Sequence, residues 1–218
     1  MITLITGLTG SGKTWLAVKS LYRDWQGGAT IFANFPLCFD KDNTNVQYFN
    51  QLSELYHLNN GVICIDEAQK LLDARRWASL PISFAEKIAQ HRKHFLDIVS
   101  TTQDIGHIDL RMRSLVHELY QCQSLLRLPK NERQHPILQV VRVVKKMRDF
   151  KNDSDRILWN KVGSRYYLIS RFWTKKLYET YADVGLSRYL TKTFYKNHKW
   201  LTKIYNRDLV NTGRARLM

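Results

Sequence analysis

The stretch GLTGSGKT at residues 7–14 decides the fold of this chain. It matches the pattern G-x-x-x-x-G-K-[ST], in which a glycine-rich turn and a lysine surround phosphate groups. An apolar run, Ile2 to Thr6, precedes it, and a segment with helical periodicity, Lys13 to Trp25, follows it. A strand, a glycine-rich turn and a helix in this order are the context that the pattern requires. The opening of the chain therefore predicts a phosphate-binding loop (P-loop) in an α/β fold.

The chemistry of each residue type explains why this loop is predicted to bind ATP. Glycines let backbone N–H groups turn inward around phosphates, and the N-terminus of the following helix adds the positive end of its dipole. Lys13 is expected to contact the β and γ phosphates as a point charge, and Thr14 to give a hydroxyl ligand to Mg²⁺. The residues predicted to hold the nucleotide are Gly7, Thr9, Gly10, Ser11, Gly12, Lys13, Thr14 and Asp66.

Two adjacent carboxylates, Asp66 and Glu67, follow the apolar run at residues 62–65. Ligands of open α/β sheets bind beyond the carboxyl ends of the strands, which is where such a pair is expected to lie. Asp66 is therefore predicted to hold Mg²⁺ together with Thr14, and Glu67 to orient or deprotonate an attacking water. The alternative is an acidic pair at a strand–loop junction that binds no metal.

A third polar group ends the run Leu96 to Thr102, where Gln103 or Thr102 is expected to sense the γ-phosphate or to position water. A simple polar turn is the alternative. An arginine from a neighbouring subunit often neutralises the charge on a transferred phosphoryl group. The arginines that follow these motifs, each of which can also be a solvated surface residue, are Arg75, Arg76, Arg92, Arg111 and Arg113.

Apolar runs alternate with helix-period segments as far as residue 115, which predicts a mainly parallel sheet flanked by helices. The strands predicted in this part are 2–6, 30–35, 61–67 and 96–102, and the helices are 13–25 and 81–94. Later runs at 119–128, 137–144 and 166–172 predict an antiparallel β extension, and residues 146–155 an exposed loop. We therefore expect a P-loop ATPase core at 1–145 and a basic C-terminal extension, packed on the core, at 146–218.

Composition excludes several classes of protein. The 218 residues are 44% hydrophobic and poor in Gly and Pro, as expected for a globular chain with one core. No run approaches the ~20 apolar residues that span a bilayer, and no basic leader precedes the first strand, so we expect a cytoplasmic protein. Three widely spaced cysteines, Cys38, Cys64 and Cys122, argue against a disulfide framework and a zinc ribbon.

The formal charge of +15 indicates a polyanionic partner, with nucleic acid first among the candidates. Residues 151–218 alone hold 15 Lys and Arg against five Asp and Glu. Residues 186–207, placed on a helix, carry a basic stripe opposite an apolar one. The stripe, which we expect to contact DNA phosphates, consists of Lys192, Lys196, Lys199, Lys203 and Arg207. Tyr195, Trp200 and Tyr205 are candidates for stacking on bases, and the alternatives are docking on anionic lipid or a solvated basic surface.

These motifs together resemble the zonula occludens toxin-like family, which includes the assembly protein I of filamentous phages and lies within the FtsK/HerA group of DNA-pumping ATPases. The resemblance covers roughly residues 1–182. The stretches that carry it are the opening strand at 2–6 and residues 7–14, 65–69, 91–92, 97–98, 102–103, 108–109, 111–113 and 177–181.

The resemblance implies a phage-encoded, Mg²⁺-dependent ATPase that forms an oligomer, by family analogy a hexameric ring. It implies that Gln103 senses phosphate and that Arg113 lies at the subunit interface or the site. The implied partners are viral DNA and a capsid or membrane-associated phage protein. The implied location is the host cytoplasm, with the virion or the inner membrane surface as places of association.

Filamentous-phage members continue into a membrane span, whereas this chain ends at Met218 after a basic amphipathic segment. We therefore expect a motor that packages or translocates phage DNA, similar to the packaging ATPases of tailless icosahedral phages. The alternatives are a membrane-peripheral assembly or export ATPase and a non-motor switch that binds ATP to set its assembly state. A small-molecule kinase is disfavoured because no arginine-rich lid segment stands out.

Overall fold

The structure, a computed structural model, describes residues 1–39, 45–72, 82–128, 138–149 and 157–170. In this part of the chain, eight strands form one sheet. The strands are β1 (Ile2–Thr6), β2 (Ile31–Ala33), β3 (Val46–Tyr48), β4 (Gly61–Ile65), β5 (Leu96–Thr102), β6 (Glu118–Leu128), β7 (Leu138–Arg148) and β8 (Trp159–Ser170). The α-helices are α1 (Lys13–Gln26), α2 (Ile82–Ala89) and α3 (Leu110–Leu115), and 3₁₀ helices lie at Leu52–His57, Ala68–Lys70 and Ile105–His107.

The strand order is β3-β2-β4-β5-β1-β6-β7-β8. The first six strands of the chain pair in parallel, and β1 lies between β5 and β6. The carboxyl ends of β1, β4 and β5 therefore meet at one edge of the sheet, where ligands of open α/β sheets bind. The predicted α/β fold with a mainly parallel sheet is confirmed.

Two apolar layers cover the faces of this sheet. Helix α1 buries Ala17, Val18 and Leu21 on one face, where they join a cluster with residues from β1, β2, β4 and β7. The other face packs against α2 and α3 through Ile88 and Met112. Every residue of β1 and β4 is buried, and burial on both faces explains why β4 is an uninterrupted apolar run instead of an alternating one.

The predicted antiparallel extension is present as β6, β7 and β8, but its boundaries differ from those expected. β7 continues to Arg148, so the first residues of the predicted loop at 146–155 belong to a strand. Lys146 pairs with Leu119 of β6, because a polar side chain can remain in a strand when its face is accessible to solvent. The division at residue 145 stays a prediction.

The predicted helix at 81–94 was too long, because α2 ends at Ala89. Successive tight turns follow it, and Phe95 has a left-handed φ of 53° that a continuing helix cannot contain. β3 was not predicted at all, and the predicted strand at 166–172 begins earlier, at Trp159.

The predicted basic helix at 186–207 lies outside the described residues. No α-helix in the described ranges is long and apolar enough to cross a membrane.

Candidate functional site

The glycine-rich loop connects β1 to α1, as its motif predicted. Gly7, Gly10 and Gly12 have φ values of 148°, 72° and 88°, a region that side chains with a Cβ rarely adopt. The Lys13 ammonium donates to the Leu8 carbonyl oxygen at 2.9 Å and so closes the loop on itself. Burial lowers the pKa of Lys13, while nearby Asp66 opposes this shift. The loop is therefore folded around a lysine that is placed to meet an anion.

The neighbouring loop residues differ in their exposure. Thr9 is exposed, whereas Ser11 is buried, and its hydroxyl has no hydrogen-bond partner among the described residues. A buried hydroxyl without a partner costs free energy unless a bound group or water satisfies it. This orphaned hydroxyl inside the loop is consistent with the predicted role of the loop in holding phosphates.

Thr14 and Asp66 meet although 52 residues separate them in the chain. The Thr14 hydroxyl lies 3.1 and 3.2 Å from the two carboxylate oxygens of Asp66. A third residue, Thr101 at the end of β5, donates its hydroxyl to the same carboxylate at 2.5 Å. Strand order explains the contact between Thr101 and Asp66, since β4 and β5 pair in parallel and end side by side.

Asn34 holds the backbone of Asp66 in place. Its side-chain oxygen accepts the Asp66 N–H at 2.7 Å, and its amide donates to the Asp66 carbonyl oxygen at 2.9 Å. Asn34 and Asp66 are the first residues after β2 and β4. Their two hydrogen bonds therefore extend the contact between these paired strands by one residue. Burial raises the pKa of Asp66, and the hydrogen bonds from Thr101 and Thr14 oppose that shift.

The donor set of Thr14 and Asp66 fits Mg²⁺. Magnesium prefers oxygen ligands and usually keeps several waters, with one or two carboxylates and substrate phosphates completing its shell. No group of three or more His, Cys, Asp or Glu residues in the described ranges could form an all-protein metal cage. The predicted site, one hydroxyl and one carboxylate beside a phosphate loop, therefore matches magnesium bound together with a nucleotide.

Glu67 has an unusual backbone, with φ of 50° and ψ of 51°. Its N–H donates to the Thr101 hydroxyl oxygen at 2.9 Å, so Thr101 joins both acidic residues. The Glu67 carboxylate is half-exposed and forms an ion pair with Lys70. Left-handed backbone at a residue with a Cβ stores strain of about 1–3 kcal/mol and is concentrated at functional sites.

Gln103 lies next to the start of the phosphate loop, because its carbonyl oxygen accepts the Gly7 N–H at 3.3 Å. Its side chain is exposed at this edge of the sheet. Thr102, the alternative phosphate sensor, is buried and donates its hydroxyl to the Asp104 carbonyl oxygen. This geometry favours Gln103 over Thr102 for a direct contact with a bound nucleotide.

Arg113 lies on α3, which packs on the sheet face opposite to α1. Among the described residues, no hydrogen bond or ion pair joins Arg113 to the phosphate loop. Arg92 faces His117, with 3.1 Å between a guanidinium nitrogen and the imidazole Nε2. Arg111 is exposed at the start of α3, and Arg75, Arg76 and the whole predicted basic stripe lie outside the described residues. The role of Arg113 as the arginine that neutralises charge on the transferred phosphoryl group therefore stays a prediction.

Two residues of the antiparallel extension, Gln139 and Arg127, lie against the phosphate loop. Neither was predicted as a site residue from the sequence. Gln139 of β7 is 4% exposed and donates its amide to the Gly10 carbonyl oxygen at 2.5 Å and to the Ser124 hydroxyl at 2.9 Å. Arg127 of β6 comes so close that a Cβ added to Gly10 would lie 2.6 Å from its guanidinium. β6 continues beyond the end of β1, so the extension forms one wall of the loop.

Replacing Gln139 by methionine, which keeps length and volume, should weaken ATP binding by about tenfold. The change removes both amide hydrogen bonds, each worth roughly 0.5–1.5 kcal/mol, and releases the loop at Gly10. Titration with a fluorescent ATP analogue measures the effect. The matched control is Gln47→Met, on an exposed position of β3, which should bind as tightly as the native protein. Equal affinity in both variants would show that Gln139 does not position the loop.

Replacing Gly7 by alanine should lower the free energy of unfolding by about 3 kcal/mol, since backbone strain and overpacking add. The new Cβ would lie 2.4 Å from the Cys122 carbonyl oxygen and 2.6 Å from the Ser11 hydroxyl. Gly163→Ala is the matched control, because no atom lies within 4 Å of its added Cβ. Urea unfolding of both variants makes the comparison, and equal midpoints would contradict the expectation.

Comparison with known proteins gives a family match and several structural ones. A family model described as zonular occludens toxin (Zot) matches residues 1–149. A search of curated proteins found no significant sequence match. The N-terminal domain of zonular occludens toxin from Neisseria meningitidis is 20% identical with a TM-score of 0.51, and the alignment covers 82% of this chain and 98% of that one. At this identity the structural likeness concerns the fold alone.

Two further solved structures are similar at lower scores. The genome packaging NTPase B204 from Sulfolobus turreted icosahedral virus 2, in complex with ATP-gammaS, is 11% identical with a TM-score of 0.48, over 73% of this chain and 96% of that one. The flagellar accessory protein FlaH from Methanocaldococcus jannaschii is 10% identical with a TM-score of 0.48, over 77% and 88%. Scores below 0.5 support no inference about function.

Proposed function

Because this chain belongs to the zonular occludens toxin (Zot) family, as its motifs predicted, we propose that it hydrolyses ATP to move phage genomic DNA during particle assembly. The observation that carries the ATPase part is the meeting of the P-loop residue Thr14 with Asp66 and, through Thr101, with Glu67. Helix α1, the carboxyl end of β4 and the end of β5 contribute these groups. Together they would bind the nucleotide, hold the metal and activate water at one edge of the sheet.

The reaction follows from the roles of these side chains. A water molecule attacks the γ-phosphorus, the bond to the β–γ bridging oxygen breaks, and Glu67 accepts the proton of the water. Lys13 and the loop N–H groups stabilise the negative charge on the phosphates. Mg²⁺, held by Thr14 and Asp66, would neutralise further charge on the β and γ oxygens when it is bound. Gln103, at the same edge, would report whether the γ-phosphate is present.

The DNA part of the proposal is supported by charge and by family. A net charge of +15 favours a polyanionic partner and makes its binding sensitive to salt. In an oligomeric ring, Arg113 would act on the nucleotide of a neighbouring subunit, which fits its place on the opposite face of the sheet from α1. The basic residues of the C-terminal segment would provide additional DNA contacts.

Steady-state ATP hydrolysis, measured with and without single- and double-stranded DNA, tests the proposal. We expect at least one form of DNA to stimulate hydrolysis several-fold at low salt, and the stimulation to decline as salt rises. A mass measurement with a bound ATP analogue checks that a ring forms. A hydrolysis rate that no DNA changes would contradict the DNA part of the proposal and would not affect the ATPase part.

Membership of the family supports one alternative, a membrane-peripheral assembly or export ATPase. Flotation with anionic vesicles distinguishes the two functions. Vesicle binding without affinity for DNA at moderate salt would favour the alternative. A non-motor switch that binds ATP to set its assembly state without cycling is the other alternative, and repeated turnover of ATP by the purified protein would exclude it.

A further inference from the structure

The antiparallel extension carries an excess of positive charge. Residues 118–128, 138–149 and 157–170 contain seven Lys and Arg and two acidic residues. One acid, Glu118, already forms an ion pair with Lys145. The other, Asp149, lies beyond the end of β7 and accepts a hydrogen bond from the Asn160 amide. These described ranges therefore hold five more positive than negative charges.

Strand alternation divides these residues between two faces. The inner face packs on α1 and the phosphate loop, and it includes Val141, Val143 and Ile169. The alternating residues form the opposite face, which we call the outer face. Its central rows, read across the paired strands, are Gln123–Arg142–Tyr166, Gln121–Val144–Ser164 and Leu119–Lys146–Lys161, in which Leu119 is buried. These rows contain three cations and no acid.

Lys146 and Lys161 are directly paired across β7 and β8. Directly opposite residues have Cβ atoms about 5 Å apart, and like charges in such a pair are destabilising. Among the described residues, no ion pair joins Lys146 or Lys161 to an acid, and Glu118 is engaged by Lys145 on the inner face. An anion bound between the two ammonium groups would remove the repulsion.

We propose that the outer face of β6, β7 and β8 binds single-stranded nucleic acid. The phosphates would contact Arg142, Lys146 and Lys161, and a base would stack on Tyr166, which is 63% exposed. This inference deepens the proposed function and rests on it only for the identity of the nucleic acid as DNA. It adds a DNA surface to the one predicted at residues 192–207.

Side chains beside the cations favour nucleic acid over an anionic membrane. Gln121 and Gln123 are exposed and add amide donors and acceptors that base edges can use. Tyr166 offers an aromatic ring on the same row as Arg142. A lipid surface would use the charge but not this combination. The far end of the outer face, around Leu126 and Leu168, is uncharged, so the phosphates would follow the cationic rows.

Charge reversal in the full-length chain tests the surface. Lys146→Glu with Lys161→Glu should weaken binding of a labelled single-stranded oligonucleotide at least about tenfold in fluorescence anisotropy at low salt. It should also reduce the slope of log K against log salt by about 1.4, the value for two phosphate contacts on a single strand. The matched control, Arg23→Glu with Lys93→Glu, changes the net charge equally at exposed positions outside the extension and should retain affinity and slope.

Binding is measured without ATP, so the result is independent of hydrolysis. Loss in the test variant but not in the control supports the surface even if DNA never stimulates the ATPase, and then only the proposed motor function fails. Equal affinity of the test variant and the native protein overturns the inference, as does an equal loss in the control. Binding of phosphatidylserine vesicles, with no binding of the oligonucleotide by the native protein, overturns it in favour of a membrane surface. Thermal unfolding checks that both variants are folded.

Discussion

Lys13→Ala should lower ATP hydrolysis at least about 100-fold and weaken ATP binding, while the fold persists. Lys13 supplies the only full positive charge within the P-loop motif, and removing a preorganised group that stabilises transition-state charge costs about 10²–10³ in rate. Among the described residues the side chain makes one hydrogen bond, to the Leu8 carbonyl oxygen, so its removal should have a small effect on stability. Steady-state hydrolysis and titration with a fluorescent ATP analogue measure the two effects.

The matched control is Arg23→Ala on the same helix. Arg23 is a cation in the last turn of α1, and its side chain is 80% exposed. Removing it changes the net charge by the same amount but leaves the loop intact, so hydrolysis should stay close to the native rate. A comparable loss in both variants would indicate that charge or helix stability, and not the loop lysine, limits the reaction.

Glu67→Gln should allow ATP to bind but lower its hydrolysis by about 10³-fold. The amide keeps the size of the side chain and its backbone bond to Thr101, and it removes the group that accepts a proton from water. Positioned general bases contribute typically 10²–10⁴-fold to a rate. The variant should therefore accumulate bound ATP, which rapid quench and nucleotide analysis by chromatography detect, and its affinity for ATP should remain near the native value.

Glu86→Gln is the control for this change, because Glu86 is exposed on α2 and carries no proposed role. It should hydrolyse ATP at the native rate. If Glu67→Gln turned over at the native rate as well, another group would have to activate the water. A loss of ATP binding in Glu67→Gln would instead assign the carboxylate to the nucleotide or metal, together with Asp66.

Motifs whose parts are adjacent in sequence could be predicted, because local chemistry is sufficient to identify them. Residues 7–14 need a strand before and a helix after, and both are visible as apolar periodicity. The pair Asp66 and Glu67 follows an apolar strand in the same way. By contrast, the loop predicted at 146–155 was partly wrong, since alternating charges in a solvent-accessible strand resemble the composition of a loop.

Contacts between distant strands could not be predicted, because they depend on strand order and register. Thr101 binds Asp66 only because β5 is inserted between β4 and β1. Asn34 binds the Asp66 backbone because β2 ends beside β4. It was not identified as a site residue because it lay inside the strand predicted at 30–35. Gln139 contacts Gly10 because β6 is longer than β1 and extends beyond its end. β7, which pairs with β6, therefore lies beside the loop. No periodicity in the sequence distinguishes these polar residues from others in the same strands.

By itself, the sequence determined the phosphate-binding loop, the acidic pair, the α/β class and the family of this chain, because each depends on residue types at short spacing. Only the tertiary structure decided which polar side chains hold Asp66 and the loop in place, and that Lys146 and Lys161 lie opposite each other on one face. The physical reason is that a strand's neighbours and register are set by burial across the whole sheet, which no local stretch of the chain encodes.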